Sequence, residues 1–263
     1  MAELRNFQTG TQSGVMIDEG LRSYMLKVYN LMMFGVAITG VTAYVTTLLT
    51  TTNDPSQAAA TIRGGVMLTQ LGVALYTSPL QWVVMLAPLA LVFFLSFRIH
   101  AMSVSAAQGT FWAYAALLGV SLSSILLVYT TASITQTFFV TAASFGALSL
   151  YGYTTKRDLS GMGSFLIMGL FGIILASIVN IFLKSSGLEF AISIIGVLVF
   201  AGLTAWDTQK IKEMYFEADD DVTYESDGFE AAGKKAIMGA LSLYMDFINL
   251  FLFLLRFLGN NRN

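Results

Sequence analysis

Apolar residues along this chain fall into seven long runs, approximately residues 29–50, 82–99, 110–130, 134–154, 163–183, 189–208 and 236–257, with polar stretches between them. Each run suits the ~20 residues that carry a helix across a ~30 Å hydrocarbon core. The pattern predicts an all-α membrane protein, a seven-transmembrane-helix bundle occupying residues 23–259 as one domain. A polar segment at 1–22 precedes it and a short tail at 260–263 follows. The loop from about 51 to 81 is longer than most and holds a moderately apolar piece, VMLTQLGVALY (66–76), too short to span. We expect it to extend the second span; a re-entrant or surface helix is the alternative. Small residues four apart, such as Ala142 and Gly146, suit close helix packing.

Composition supports the membrane reading and narrows the chemistry. The chain is 56% hydrophobic and 11% charged, against about 25% charged residues in globular domains, with a mean hydropathy of +0.69. No cysteine is present, which excludes disulfides, thiolate nucleophiles and cysteine metal sites. His100 is the only histidine, so a multi-histidine zinc centre is also excluded. Residues 1–22 carry Glu3, Arg5, Asp18, Glu19 and Arg22, unlike a cleavable signal peptide. The first span is therefore expected to act as an uncleaved anchor.

Orientation follows from Lys and Arg. Alternate loops place Arg5, Arg22, Lys27, Arg98, Lys156, Arg157, Lys210, Lys212, Lys234 and Lys235 on the side of the N-terminus. Only Arg63, Lys184, Arg256 and Arg262 fall on the other. The positive-inside bias then puts the N-terminus in the cytoplasm and the C-terminus outside. Trp82, Trp112 and Trp206 fall at span ends, where amphipathic rings favour the interface.

Of the sixteen Asp and Glu residues, only Asp207 and Asp246 lie inside apolar runs, with Glu189 merely at the start of the sixth. A carboxylate at the centre of a membrane helix costs roughly 2.5 to 3.5 kcal/mol on insertion scales, so it normally faces a protein interior or water and has a task. Helical spacing aligns Gly239, Ser242, Asp246, Asn249 and Arg256 as one polar stripe on span seven. Such a stripe belongs inside the bundle, which makes the last helix central. Thr204, Asp207 and Lys210 form a matching stripe on span six. Ser242, Asn249 and Thr204 are the candidate pore-lining groups. Measured from the nearest lysines at 1.5 Å per residue, Asp207 lies about 5 Å deep and Asp246 about 16 Å. The two meet only if span seven starts well outside the membrane or water reaches Asp246; otherwise Ser, Thr and Asn neighbours satisfy each one separately.

Four uses of such residues compete. A retinal protein needs a lysine in its last span, and residues 236–255 contain none. An intramembrane aspartyl protease shares a proton between two aspartates to activate water. Its glycine-rich GxGD is YMDF here, and its PAL tripeptide is absent. An ion pathway or pH-gated leak and a non-catalytic membrane regulator remain, so an enzyme is not expected, nor is a nucleic-acid partner.

The stretches AWDTQKIK (205–212), LSLYMDFINLFLFLLRFLG (241–259), YTTKRDLS (153–160) and SFLIMGLFGIILASIVNIFL (164–183) resemble the transmembrane Bax inhibitor motif family in its bacterial branch. The resemblance implies a seven-helix bundle with the last helix at its centre and a calcium-permeable, pH-sensitive leak in the bacterial inner membrane. It implies no bound cofactor, calcium being the permeant ion. It also implies a di-aspartyl sensor at Asp207 and Asp246, and it matches Arg98 to a basic residue that ends the second helix. We expect Arg98 to act as counter-ion and latch span two over the pore. Bacterial relatives are also linked to a membrane-bound protease as regulators, which keeps partner binding as the alternative function.

Two departures stand out. The second span, WVVMLAPLALVFFLSFR (82–98), has no acidic residue, whereas some relatives place one there. The loop between spans six and seven, 213–235, carries an acidic insert. Read as a twelve-residue calcium loop from Asp219, it offers Asp219, Asp221, Thr223, Glu225, Asp227 and Glu230, but Tyr224 replaces the turn glycine. A solvated loop is the simpler expectation, and these residues are weak metal candidates.

Overall fold

This computed structural model describes the backbone of residues 2–62, 64–219 and 225–260, with side chains described from 19 to 216, residue 63 excepted, and from 230 to 260. Seven apolar helices long enough to cross a membrane are present among the described residues: Glu19–Thr50, Leu80–Ala101, Val104–Val128, Thr131–Thr154, Ser160–Leu183, Ser186–Phe216 and Glu230–Leu258. They match the seven expected spans. Helix α1 (Ala2–Thr50) runs from the polar segment into the first span without a break. A helix is the only open structure whose backbone bonds are all satisfied internally in lipid, so each apolar run folds into one.

The 66–76 piece departs from expectation. Residues 70–76 form a separate surface helix, α2 (Gln70–Tyr76), which ends before α3 (Leu80–Arg98) begins. Thr69 starts α2 by accepting the amide of Gly72, and the Thr77-Ser78-Pro79 break prevents continuation into the span. Beside it, strands β1 (Thr51–Thr52) and β2 (Ala60–Thr61) both pair antiparallel with β3 (Met67–Leu68).

The remaining helices are α4 (Val104–Leu122), the short α5 (Ile125–Val128), α6 (Thr131–Thr154), α7 (Ser160–Leu183), α8 (Ser186–Asp219) and α9 (Glu225–Leu258). Helix α9 is central: it packs on α8, α1, α6 and α4, and 61% of its span is buried, against 11% for the peripheral α3 and α7. The core is built largely along it, from Leu241, Leu243, Tyr244, Leu250 and Leu255. The Tyr244 hydroxyl lies 2.6 Å from Thr39 Oγ1 and so joins α9 to α1. At the far end of α9, Asn260 closes onto the start of α6: its carbonyl accepts the Thr130 amide at 3.1 Å, and its own amide donates to Ser133 Oγ at 2.9 Å.

Close packing is not where Ala142 and Gly146 suggested it. A Cβ on Gly146 would meet nothing within 4 Å, and both residues line an open groove. The tight approach on α6 is instead at Gly152, whose missing Cβ would collide with the Ala205 carbonyl of α8.

Candidate functional site

Helices α8 and α9 form one antiparallel pair. Lys235 Nζ reaches the Met214 carbonyl at 3.5 Å, Gly239 packs on Ile211, and Phe253 stacks on Phe200 with ring centroids 5.7 Å apart. This register brings the carboxyls of Asp207 and Asp246 into hydrogen-bonding contact. The depth mismatch in the lysine count disappears for a physical reason. Helix α9 begins by Glu225, far before the apolar run at 236, and Lys235 lies level with a residue one turn beyond Lys210.

Asp246 is 4% exposed, and its Oδ2 has no hydrogen-bond partner. Asp207 is half-buried beside it. Two ionised carboxyls accept and cannot donate, so the contact becomes a hydrogen bond only when one of them carries a proton. Lys210, exposed one turn along α8, is the cation that acts on Asp207, and its ammonium also lies 5.1 Å from the Trp206 ring centroid. Lys210, Asp207 and Asp246 are the charged groups that bear on the pair among the described residues.

Other predicted residues sit differently. Arg98 is exposed at the end of α3 and makes no ion pair with either aspartate. Its neighbours Leu95 and Ile99 take the buried positions, and α3 packs mainly on α4, its end touching α9 where Lys234 Nζ donates to the His100 carbonyl at 3.2 Å. The expected contact of Arg98 with the pair is thus absent, and Lys210 is the basic residue one turn from Asp207 on α8. Thr204 is buried but bonds the Phe200 carbonyl of its own helix at 2.8 Å. Ser242 and Asn249 are half-buried, and Asn249 Nδ2 donates to the Met245 carbonyl at 2.9 Å, so neither serves the carboxyls. Of the weak metal candidates, Glu230 pairs with Lys234 at 3.3 Å within α9. Asp219, Asp221, Thr223, Glu225 and Asp227 have side chains outside the described residues. No cluster able to hold a metal occurs among the described residues.

Sequence reading missed two supports of the site. Gln209 is buried and clamps α8 to the α6–α7 turn: its Oε1 accepts the Leu159 amide and its Nε2 donates to the Arg157 carbonyl, both at 2.8 Å. In the same turn Asp158 accepts the Ser160 amide at 2.8 Å, which holds its carboxyl below the usual range. The second support is a hydroxyl chain in which Tyr29 lies 2.7 Å from Ser149, and Ser149 lies 2.9 Å from Thr208, the residue after Asp207. A legible signal existed: Ser133, Thr137, Thr141 and Ser149 repeat at helical spacing on α6 and are all buried.

Residues 21–263 match the family described as inhibitor of apoptosis-promoting Bax1. The chain belongs to the Bax inhibitor-1 family. The inner membrane protein YbhL of Escherichia coli is 46% identical over 243 residues, covering 92% of this chain and 94% of YbhL. An uncharacterized protein of Rickettsia prowazekii is 48% identical over 257 residues, 97% of each chain. One from Caulobacter vibrioides is 45% identical over 247 residues, 94% of this chain and 92% of its own length. This Bax inhibitor-1 family chain is accordingly a multi-span membrane protein, related over nearly its whole length to bacterial proteins.

Proposed function

We propose that the chain is a pH-sensitive, calcium-permeable leak of the bacterial inner membrane, with its N-terminus in the cytoplasm, its C-terminus outside, and the Asp207–Asp246 pair as gate. The observation that carries this is the pair itself: two carboxyls side by side in the extensive α8–α9 contact, with Asp246 Oδ2 buried and lacking a donor. A shared proton completes that contact. With one proton and one negative charge, the carboxyls make a charge-assisted hydrogen bond, roughly twice as strong as a neutral one. That bond ties α8 to α9. Acid adds the second proton, replaces the charge-assisted bond with weaker neutral ones, and lets the helix pair part. Calcium enters as a permeant ion, not as a bound cofactor.

The test is calcium flux in liposomes containing only the purified protein, between about pH 5 and pH 8, the range in which physiological switches operate. Flux should rise with acid. Flux equal to that of empty liposomes throughout would discard the leak and favour the membrane-regulator reading, for which co-purification with a membrane-bound protease is the direct measurement.

A further inference from the structure

Helices α1 and α6 each pack on α8 and α9 but leave a groove of about 1230 Å³ between them on the membrane face. Its walls are apolar, with Val36 on α1 and Phe145 on α6, and its floor is Phe247 of the central helix. Glycines in membrane helices usually let two backbones approach closely. Gly40 and Gly146, which line this groove, face open space instead: a Cβ on either would meet nothing within 4 Å. They widen the groove rather than close it.

One end of the groove is charged. Arg22 lines it there, exposed and without an ion pair among the described residues. Tyr153 lines the same end, and Lys212 sits against Tyr153, its ammonium 5.6 Å from the ring centroid and 3.1 Å from the carbonyl. Lys156 and Arg157, both exposed, follow directly in the turn after α6. No described acidic side chain lines this groove. From Arg22 to Gly40 it runs about 27 Å along α1 at 1.5 Å per residue, longer than the ~15 Å of one leaflet's half of the hydrocarbon core.

We propose that this groove is a binding site for an anionic phospholipid of the leaflet at the Arg22 end, with its phosphate held by Arg22 and Lys212 and one acyl chain lying along Val36 and Phe145 onto Phe247. Charge complementarity selects the headgroup: basic pockets between membrane helices recognise anionic lipids. The two open glycines give the chain its room. The site is independent of ion conduction and holds whether or not the protein is a leak.

Native mass spectrometry of the purified protein, offered phosphatidylglycerol and phosphatidylcholine in equal amounts, tests it. Phosphatidylglycerol should be retained about tenfold over phosphatidylcholine. Arg22→Gln should bring the two near parity, and Arg22→Lys should restore most of the preference. Gly146→Leu fills the groove without meeting backbone and should expel the retained lipid; Gly40→Leu does the same from the opposite wall, so a folding defect in one variant leaves the other to decide. Equal retention of both lipids by the parent protein overturns the site. So does a preference that survives both leucine variants, which would be surface attraction alone. A lipid-free dimer as the dominant species overturns it in favour of a second copy seated in the groove.

Discussion

Gly152 of α6 lies directly against the carbonyl oxygen of Ala205 on α8, leaving no space for a Cβ. Gly152→Ala should therefore destabilise the protein by about 1 to 3 kcal/mol, the usual cost of overpacking a close contact. Gly146→Ala, about one and two-thirds turns away on the same helix, meets nothing. It should be neutral or mildly stabilising, by up to about 1 kcal/mol, since alanine is the better helix former. Melting of the two variants in detergent compares them; equal losses would mean that the α6–α8 approach is looser than described.

The carboxyl pair makes a prediction with a sign. Alanine at either position can neither carry the negative charge nor hydrogen-bond, so Asp207→Ala and Asp246→Ala both remove the charge-assisted bond. Each should leak at neutral pH and lose most of its pH dependence. Calcium flux in liposomes is the measurement. A flux that rises with pH in the parent protein, or a variant that stays closed and titrates normally, would show that some other contact gates.

Counter-charge is tested by two cations. Lys210 acts on Asp207, whereas Arg98 is exposed and unpaired with either aspartate. Removing a positive charge beside a carboxyl pair eases protonation, so Lys210→Ala should move the acid response to higher pH. Arg98→Ala should leave the midpoint in place. The reverse outcome would restore the Arg98 latch that the sequence suggested.

Gln209 satisfies two backbone groups of the α6–α7 turn. Gln209→Ala strips both the Leu159 amide and the Arg157 carbonyl of their partner, and a buried group left unsatisfied costs about 1 to 3 kcal/mol. Hydrogen exchange should show the Leu159 amide losing protection before the rest of the bundle. If protection there is unchanged, the turn is held by something other than this side chain.

Much of this arrangement could be read before folding. The seven apolar runs announced the spans, and the isolation of Asp207 and Asp246 within them marked both as candidate site residues, without showing that they meet. What could not be read was register. Lysine positions were a poor measure of depth, because α8 and α9 extend past Lys210 and Lys235 as one helical pair. The polar stripe through Ser242 and Asn249 shared a helix face with Asp246 without sharing its contacts; a face is about a hundred degrees wide, and only packing decides which part of it is buried. Arg98 stood at the right end of the right helix, yet its direction was set by the burial of Leu95 and Ile99 beside it. Gly146 looked like a packing glycine because spacing cannot say whether a neighbour is there.

The Asn260 clasp gives the central helix a mechanical character. Fastened to Thr130 and Ser133 at one end, α9 is a lever with its pivot there. Along the axis Asp246 lies about 21 Å from that pivot and Lys235 about 38 Å, at 1.5 Å per residue. A sideways push at the Lys235 end therefore arrives at Asp246 reduced to a little over half, while the residues beside the clasp hardly stir. Parting the carboxyls by an ångström requires nearly two at the loop, which makes the loop end the place where a small force has the greatest purchase on the pair.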